Sequence, residues 1–488
     1  MKKLFRLILR LAIFAFIIIV GIATVKTVGF TSKQIPVEPV EPIAIPESAI
    51  EHLSKAVQIP TVSEENKVDT TALLNLDTLI QQAFPNVDSL LEKTYVNRFS
   101  LVYKWAGRNP KLPPVLLLGH MDVVPVESEA AWSVSPFSGE VHKGYIWGRG
   151  TMDDKLNVFG ILEAAEMLLK EDYQPERTVY FAFGHDEEIS GEYGAKAIAA
   201  RFEQQGIRFE YVLDEGQLII ENALPGLDPP LGMIGVAEKG YVTLHLLAKQ
   251  EEGGHSSMPP KETVIGVLSK AIVKLQTNPF PGKIDGATKG LLQHAGPEMN
   301  FPYNVLFANL WLSEGLLKNI FSGKPSSNAL IRTTTAPTII EGGVKDNVLP
   351  TSASAKINFR ILPGETIESV TSYVQNIIDD PRVSVATSKI EFGQNPSPVS
   401  DEGTFGFLVI QKSIREVFPE TVVAPALVIG ATDSRHYQSV SDQIYRFQPI
   451  QISLDDTKRF HGIDERISVE NYKQAIRFYR QLILNSCK

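Results

Sequence analysis

The pair His120 and Asp122 places an imidazole and a carboxylate two residues apart, directly after the apolar run at residues 114–118. Four aliphatic residues in a row, without polar alternation, are typical of a strand that is buried on both faces. Open α/β sheets bind their ligands at the carboxyl ends of such strands. A carboxylate at this spacing can orient a metal-binding histidine through its second ring nitrogen. A purely structural His-x-Asp turn fits the same stretch.

Acidic pairs recur in similar positions. One pair stands just before the helical pattern at residues 157–169, a second follows the strand pattern at 178–183, and a third follows the strand pattern at 211–213. Unrelated surface acids would fall at both ends of strands, so this recurrence favours one common site. Together with a late histidine, the candidate donors are His120, Asp153, Glu188, Asp214 and His461.

These donors indicate a metal centre. Two imidazoles and three carboxylates cannot share a buried pocket without a cation, because the carboxylates would repel one another or take up protons. Two Zn²⁺ ions bridged by one carboxylate would resolve the conflict and lower the pKa of a bridging water toward neutrality. Glu187, which is adjacent to a ligand but not needed as one, is then the candidate general base. Each acid taken singly also fits a solvated turn.

The secondary-structure pattern predicts an α/β fold in which a mostly parallel sheet forms the catalytic domain, over residues 48–239 and 396–488. Between these parts, residues 240–395 alternate more and follow a βα…βαβ order, which predicts an inserted, smaller α+β lid domain. Within it, residues 278–327 show poor periodicity. Ser468 is predicted to cap a final amphipathic helix.

The amino terminus is predicted to lie outside the fold. Basic residues up to Arg10 precede an uncharged run at residues 11–25, the order of an export signal or signal anchor. The run is short of the ~20 residues that span a bilayer, although flanking basic side chains can snorkel. An uncleaved anchor at residues 1–30 is favoured over a cleaved signal, with the catalytic part outside the cytoplasm. Residues 31–47, rich in Pro and Glu, are predicted to form a stiff spacer.

Composition excludes other classes of protein. The formal charge is −9 over 488 residues, and no Lys/Arg stripe is present, which argues against a nucleic-acid partner. Cys487 is the only cysteine, so neither an intramolecular disulfide nor a cysteine-based zinc knuckle can form.

The motifs GHMDVVP, GRGTMDDK, DEEISG, LDEG and the late FHG, in this order, resemble the dinuclear zinc exopeptidase family of carboxypeptidase S, aminoacylase and bacterial glutamate carboxypeptidase. The branch of carboxypeptidase S and N-fatty-acyl-amino-acid synthase/hydrolase is the most similar. The resemblance implies that Asp153 bridges two zinc ions and that a cis peptide follows it. His120 and Asp214 would complete one zinc site, and Glu188 and His461 the other. It also implies that Asp122 orients His120 and that Glu187 acts as general base and then as general acid.

The inserted domain resembles the lid of this family, which implies three substrate-binding residues. His255 corresponds to the imidazole that stabilises the tetrahedral oxyanion, often from a partner subunit, so a homodimer through the lid is expected. Asn347 and Arg360 correspond to residues that hold the substrate, and Arg360 suits a bidentate grip on a free carboxylate. A turn Asn and a surface Arg on a strand are the alternative interpretations.

The sequence therefore predicts a zinc hydrolase, membrane-anchored or exported. It would cleave the amide bond of an N-acyl amino acid or a small peptide that has a free carboxylate. A dipeptidase or aminopeptidase on the same scaffold is the alternative, and it requires an acidic group for the substrate amine. A non-catalytic binding protein is a third hypothesis, which predicts loss of the base or of a ligand, whereas Glu187 and all five donors are present.

Overall fold

The structure is a computed structural model that describes residues 1–64, 67–387 and 393–488. Over these residues the helices comprise an apolar N-terminal helix, the helices of the two sheet-containing units, and a run of shorter helices between positions 286 and 331. The helices are α1 Lys2–Val28, α2 Glu47–Val57, α3 Thr70–Ala83, α4 Pro85–Leu90, α5 Lys155–Lys170, α6 Ala195–Gln204, α7 Val264–Thr277, α8 Gly286–Ala295, α9 Tyr303–Ala308, α10 Leu310–Ser322, α11 Pro325–Ile331, α12 Ile367–Ile378, α13 Phe405–Val417 and α14 Val469–Ser486.

The strands form one large sheet, a second sheet of four strands and three small ladders. The strands are β1 Ser63–Glu64, β2 Lys67–Val68, β3 Glu92–Val96, β4 Ser100–Trp105, β5 Val115–His120, β6 Val141–His142, β7 Tyr145–Trp147, β8 Val179–Gly184, β9 Tyr211–Glu221, β10 Leu231–Glu238, β11 Gly240–Lys249, β12 Gly254–His255, β13 Thr334–Gly342, β14 Val348–Leu349, β15 Ser352–Ile361, β16 Val383–Thr387, β17 Val422–Val428, β18 Ile444–Ser453 and β19 Arg466–Ser468.

The main sheet has eight strands in the order β17-β10-β18-β9-β5-β8-β4-β3. Its central strands β18, β9, β5 and β8 run parallel, and β10 with β17 forms a second parallel pair. Antiparallel pairing joins these two groups and adds β4 and β3 at the other edge. The predicted α/β fold is confirmed, with a mixed sheet that is parallel at its centre.

The burial of strand β5 on both faces explains its unbroken aliphatic run. Successive side chains of a strand point to opposite faces of the sheet. Leu117 packs in the core formed with α5 and α14, whereas Leu116 and Leu118 pack in the core formed with α6. All six residues of β5 are buried, so the strand is covered on both faces as predicted. Its last residue, His120, is thereby fixed at the carboxyl edge of the parallel strands.

Strand β9 is longer than predicted. It continues to Glu221 instead of ending at Leu213, so the Asp214-Glu215 pair lies within the strand. The pairing with β18 shifts register here, because Arg446 faces Asp214 while the next residue, Phe447, faces Gln217. The irregularity includes Gly216, whose φ of +139° is accessible mainly to glycine.

The second sheet, in the order β13-β15-β11-β16, is antiparallel and packs against α7 and α12. Burial alternates along β11, as expected for a sheet with one covered face. Its core, which includes Leu244, Leu268 and Phe359, is separate from that of the main sheet. This sheet lies within residues 240–395, which we propose as the inserted lid domain.

Helices α8 to α11 occupy the stretch without clear periodicity. Leu291, Leu292 and Phe307 pack with Val422 and Ala424 of β17, at the edge of the main sheet. These helices therefore extend the catalytic unit, although they lie in sequence inside the proposed insertion.

The amino-terminal helix α1 has 27 residues, none of them buried, and is the one helix in the described ranges that is long and apolar enough to cross a membrane. The segment after it is extended and bonded to the catalytic unit. The Gln34 side chain exchanges two hydrogen bonds with the backbone of Val423, at 2.8 and 2.9 Å, and Val40 N donates to Glu416 O. The predicted spacer is thus attached along its length.

Candidate dinuclear metal site

Asp153 lies at the centre of a cluster of side chains from distant parts of the chain. Its Oδ1 is 3.0 Å from His120 Nε2, and its Oδ2 is 3.0 Å from His461 Nε2. Glu188 Oε2 lies 3.4 Å from the same nitrogen of His461, and Glu215 Oε1 lies 3.4 Å from that of His120. One carboxylate therefore stands between two imidazoles, and each imidazole has a second carboxylate beside it.

Separate elements bring these donors together. His120 ends β5, and Asp153 belongs to the turn before α5. Glu188 lies in a short 3-10 turn after β8, and Glu215 lies in the irregular part of β9. His461 follows β18 in a loop and has a positive φ of 56°. The clustering at the carboxyl ends of β5 and β8 agrees with the prediction from sequence.

Asp214, the sequence-predicted donor of the third pair, is placed differently. Its Oδ2 accepts a hydrogen bond of 2.7 Å from Ser434 N, and its Oδ1 accepts one of 3.0 Å from Glu215 N. The structure thus brings Glu215, and not Asp214, beside His120. The register shift in β9 separates the two acids, and the role of Asp214 as a metal ligand stays a prediction from the sequence.

Asp122 is fully buried and connects two parts of the site. Its Oδ1 lies 3.4 Å from His120 Nδ1 and accepts a hydrogen bond of 3.1 Å from Glu187 N, while its Oδ2 accepts one from Glu188 N. His120 Nδ1 also lies 3.0 Å from the carbonyl oxygen of Asp122. With a proton on Nδ1, the imidazole presents the lone pair of Nε2 to the cluster.

The turn that contains Asp153 is fixed by further contacts. The peptide between Asp153 and Asp154 is cis, as the family resemblance implies. Asp154 Oδ2 accepts a hydrogen bond of 3.1 Å from His120 N, and its other oxygen accepts one from Asn157 Nδ2. Asp154 therefore ties this turn to the end of β5.

The sequence analysis did not identify Glu465, a fully buried residue beside the cluster. Its Oε1 accepts hydrogen bonds from Gly150 N and Met152 N at 2.9 and 2.8 Å, and its Oε2 lies 2.5 Å from Arg149 Nη1. Arg149 Nη2 in turn donates to the carbonyl oxygen of His461 at 3.1 Å. This ion pair joins the Asp153 turn to the His461 loop. Arg149 stands in a quoted motif, but no local pattern marks Glu465.

Burial and neighbouring charges shift the pKa values of the carboxylates in the cluster. Burial raises the pKa of Glu215 to about 8, and the charge of Asp153 adds to this shift. Burial also raises the pKa of Glu187, with nearby acids contributing, and that of Glu188. Burial opposes ionisation of Asp153 as well, but hydrogen bonds from both imidazoles outweigh it and lower the pKa. Such a concentration of acids is unfavourable without cations.

The donor set fits two divalent cations. Glu188 Oε1 is buried and has no hydrogen-bond partner in the described part of the chain, as expected for an oxygen positioned for a cation. Imidazole and carboxylate are the ligands that Zn²⁺ and related metals accept. Ligand atoms of His120, Asp153 and Glu188 all lie within 4.8 Å of one another. The arrangement can therefore position a carbonyl substrate and the water that attacks it.

The three predicted lid residues lie elsewhere. His255 is exposed, with Nδ1 2.8 Å from Ser257 Oγ, and it pairs with Val348 in one small ladder. Asn347 lies directly before that ladder, and its carbonyl oxygen accepts a hydrogen bond from Ser256 N. Arg360 lies on β15 with its guanidinium carbon 5.0 Å from the centre of the Tyr241 ring. Over the described ranges, no hydrogen bond or ion pair connects these three side chains to the cluster.

Comparison with known proteins places the chain in a family. Residues 116–485 match Peptidase family M20/M25/M40. The chain is 42% identical over 442 residues to N-fatty-acyl-amino acid synthase/hydrolase PM20D1 of Xenopus tropicalis, covering 90% of this chain and 85% of that one. It is 42% identical over 476 residues to probable carboxypeptidase S-like 2 of Dictyostelium discoideum, covering 95% and 91%.

The fold is also that of a solved structure, the M20 family metallo-carboxypeptidase Sso-CP2 from Sulfolobus solfataricus, with a TM-score of 0.63 and 18% identity over 90% of this chain and 99% of that one. A second solved structure with this fold, the YXEP protein of Bacillus subtilis, with a TM-score of 0.56 and 14% identity over 90% of this chain and 98% of that one, is named a dinuclear metal-binding peptidase of the M20 family. The matched segment includes every donor of the cluster described above. The chain therefore belongs to peptidase family M20 and is a metal-dependent hydrolase.

Proposed function

We propose that this enzyme is a dinuclear zinc hydrolase that cleaves the amide bond of N-acyl amino acids or of small peptides with a free carboxylate. The observation that supports this most is the position of Asp153, with one oxygen 3.0 Å from each of two imidazoles. The relatives that share most of its length are named for action on N-fatty-acyl amino acids and as carboxypeptidases.

The proposed ligand set follows from the contacts. Asp153 would hold both ions, one through each carboxylate oxygen. His461 and Glu188 would hold one ion with it, and His120 and Glu215 would hold the other, so Glu215 is proposed in the place that the sequence analysis gave to Asp214. When bound, the pair of zinc ions polarises the substrate carbonyl and lowers the pKa of water.

Glu187 is proposed as the proton carrier. Burial and the neighbouring acids raise its pKa, which suits a group that must both accept and release a proton. Asp122 fixes its backbone through the hydrogen bond from Glu187 N. Glu187 takes the proton of the attacking water and delivers it to the nitrogen of the leaving amine.

The three lid residues are proposed to bind the substrate. Arg360 can bind a free carboxylate through two parallel N–H donors, with Asn347 adding amide contacts. His255 would stabilise the oxyanion. Because these side chains do not contact the cluster here, they would reach it from a closed lid or from the lid of a second subunit.

We also propose that α1 is an uncleaved anchor that places the catalytic unit outside the cytoplasm. Its 27 residues are long and apolar enough to cross a membrane, and basic residues precede the apolar run. This proposal is independent of the chemistry at Asp153.

A substrate panel on the zinc-loaded full chain in detergent tests the proposed activity. We expect release of free amino acid from N-acyl amino acids or from peptides with a free carboxylate, and no turnover when that carboxylate is amidated. Glu187→Gln should bind metal normally and turn over about 10²–10⁴-fold more slowly. Cleavage restricted to free dipeptides would instead identify a dipeptidase, and near-normal turnover of Glu187→Gln would overturn the role of Glu187.

A further inference from the structure

Helix α10 carries apolar side chains on its outer face as well as its inner face. Ser313 and Leu317 are buried on the inner side, whereas Leu312, Leu316 and Ile320 are each more than half exposed. Because these three follow one another at four-residue spacing, they share one face of the helix. A surface helix of a water-soluble domain presents polar residues there instead. The outer face of α10 is therefore suited to a non-aqueous environment.

The exposed stripe extends to a tryptophan. Trp311, next to Leu312, is 47% exposed, and together Trp311, Leu312, Leu316 and Ile320 form what we call the α10 patch. The two charged residues of α10, Glu314 and Lys318, pair with each other at 2.6 Å and leave the helix without net charge. Contiguous exposed apolar surface of this kind marks a site of interaction with a protein or a membrane.

The α10 patch begins where the apolar N-terminal helix ends. Asn309, directly before α10, donates from Nδ2 to Thr27 Oγ1 at 3.0 Å and to the carbonyl oxygen of Ala23 at 3.3 Å. Phe30, just after α1, packs with Phe307 of α9 in one apolar cluster. The start of α10 is thus fixed to the last turns of α1.

The contact between Lys26 and Trp311 indicates at which level of a bilayer the α10 patch would lie. Lys26 ends the uncharged run of α1, and its Nζ lies 5.8 Å from the centre of the Trp311 ring. Lysine and tryptophan at the end of a membrane helix lie at the level of the lipid headgroups. If α1 spans a bilayer, the α10 patch lies at the surface of that bilayer.

We propose that the α10 patch is a second membrane-contacting surface, which inserts into the headgroup region of the bilayer that α1 spans. Helices that lie in this region bury their apolar face by roughly 5–10 Å. The inference rests on the proposed anchoring by α1 and not on the catalytic chemistry. Its continuity with α1 favours lipid over a second copy of the chain or another protein.

Site-directed spin labelling of the full chain in phosphatidylcholine–phosphatidylglycerol vesicles tests the proposal. The label is placed at Leu316→Cys and, as a matched control, at Leu90→Cys on α4, which is 64% exposed. The native Cys487 is buried and does not compete. We expect the ratio of collisions with oxygen to collisions with a water-soluble nickel chelate to be several-fold higher at position 316 than at position 90.

Two results would overturn the proposal. Equal ratios at the two positions, in full chain that floats with the vesicles in a density gradient and is therefore anchored, would show that the α10 patch faces water. A label at position 316 that is shielded from both oxygen and the nickel chelate would show that protein, such as a second copy, covers the patch.

Quenching of Trp311 by brominated phospholipid provides a test on the unaltered chain. Trp105 and Trp147 are buried in the catalytic unit, and the half-buried Trp132 packs against Arg149 beside the metal site, so Trp311 is the tryptophan expected to meet lipid. We expect brominated lipid to quench part of the emission, and Trp311→Phe to abolish that part. The same fractional quenching in both proteins, or none in either, would contradict membrane contact by the patch.

Discussion

The backbone N–H of Glu187 donates a hydrogen bond of 3.1 Å to the carboxylate of Asp122, 65 residues earlier in the chain. The accepting oxygen, Oδ1, also lies 3.4 Å from His120 Nδ1. One buried carboxylate thus sets the orientation of a proposed metal ligand and the position of the proposed proton carrier. Catalysis in this enzyme is therefore expected to depend on Asp122, although Asp122 is not a proposed ligand.

Replacing Asp122 with Asn should lower metal affinity or turnover by about 10–100-fold, because carboxylates that orient a metal-binding histidine have effects of this size. Metal titration and steady-state kinetics measure the two quantities. Asp69→Asn is the matched control, since Asp69 caps α3 at the surface and asparagine caps helices equally well. If Asp122→Asn behaved like the control, the positioning role of Asp122 would be refuted.

Glu215 and Asp214 should differ in their effect on metal content. Glu215→Gln should lose one of the two ions, because it removes the carboxylate beside His120. Asp214→Asn should keep both ions but unfold more easily, because a charged acceptor for the N–H groups of Ser434 and Glu215 is lost. Elemental analysis of the purified variants separates the two. The reverse pattern would restore Asp214 as the ligand.

The Arg149–Glu465 pair should contribute to stability as a buried ion pair. Arg149→Met leaves the Glu465 carboxylate buried without its cation, which typically costs about 3–5 kcal/mol in the free energy of unfolding. Arg108→Met, which removes a largely exposed partner of Glu176, should cost about 0–1 kcal/mol. Denaturant unfolding of the full chain measures both. Equal losses would show that the buried pair has no special structural role.

His436 should make stability dependent on pH. Burial, together with the neighbouring Arg435, lowers the pKa of His436 from 6.5 to about 4. Between these values the unfolded chain binds a proton that the folded protein does not, so the free energy of unfolding falls as the pH is lowered from about 6.5 to 4. His436→Gln should reduce this slope because it removes the titrating imidazole, and glutamine can still donate to the Ser190 carbonyl that His436 Nε2 contacts. Identical slopes would disprove the assignment.

The parts of the fold that the sequence predicted are those with strong local signals. The aliphatic run before His120 predicted a strand covered on both faces, and Ser468 was predicted as the cap of the last helix, where its hydroxyl accepts from Asn471 N. Helices α8 to α11 were not predicted, because α9 and α11 have only six and seven residues, and α10 carries apolar residues on its exposed face as well as its buried one. Neither feature gives a clear helical alternation of apolar and polar residues.

The site was predictable to the extent that its residues stand in short motifs. His120, Asp153, Glu188 and His461 were selected from such motifs, and the structure brings them together. Asp214 was predicted as the fifth donor, whereas the structure has Glu215 beside His120, and residue order alone does not reveal the register shift between β9 and β18 where these two acids lie. Glu465 contacts backbone groups 313 and 315 positions earlier in the chain, so its position depends entirely on tertiary structure.

The metal content of the chain tests the central claim most directly, because the claim is that the two oxygens of Asp153 serve two cations at once. Elemental analysis of the active full chain should find two divalent ions per chain, and Asp153→Asn should lose both ions and the activity together. Active enzyme without stoichiometric metal, or an Asp153→Asn variant that keeps two ions, would contradict the account.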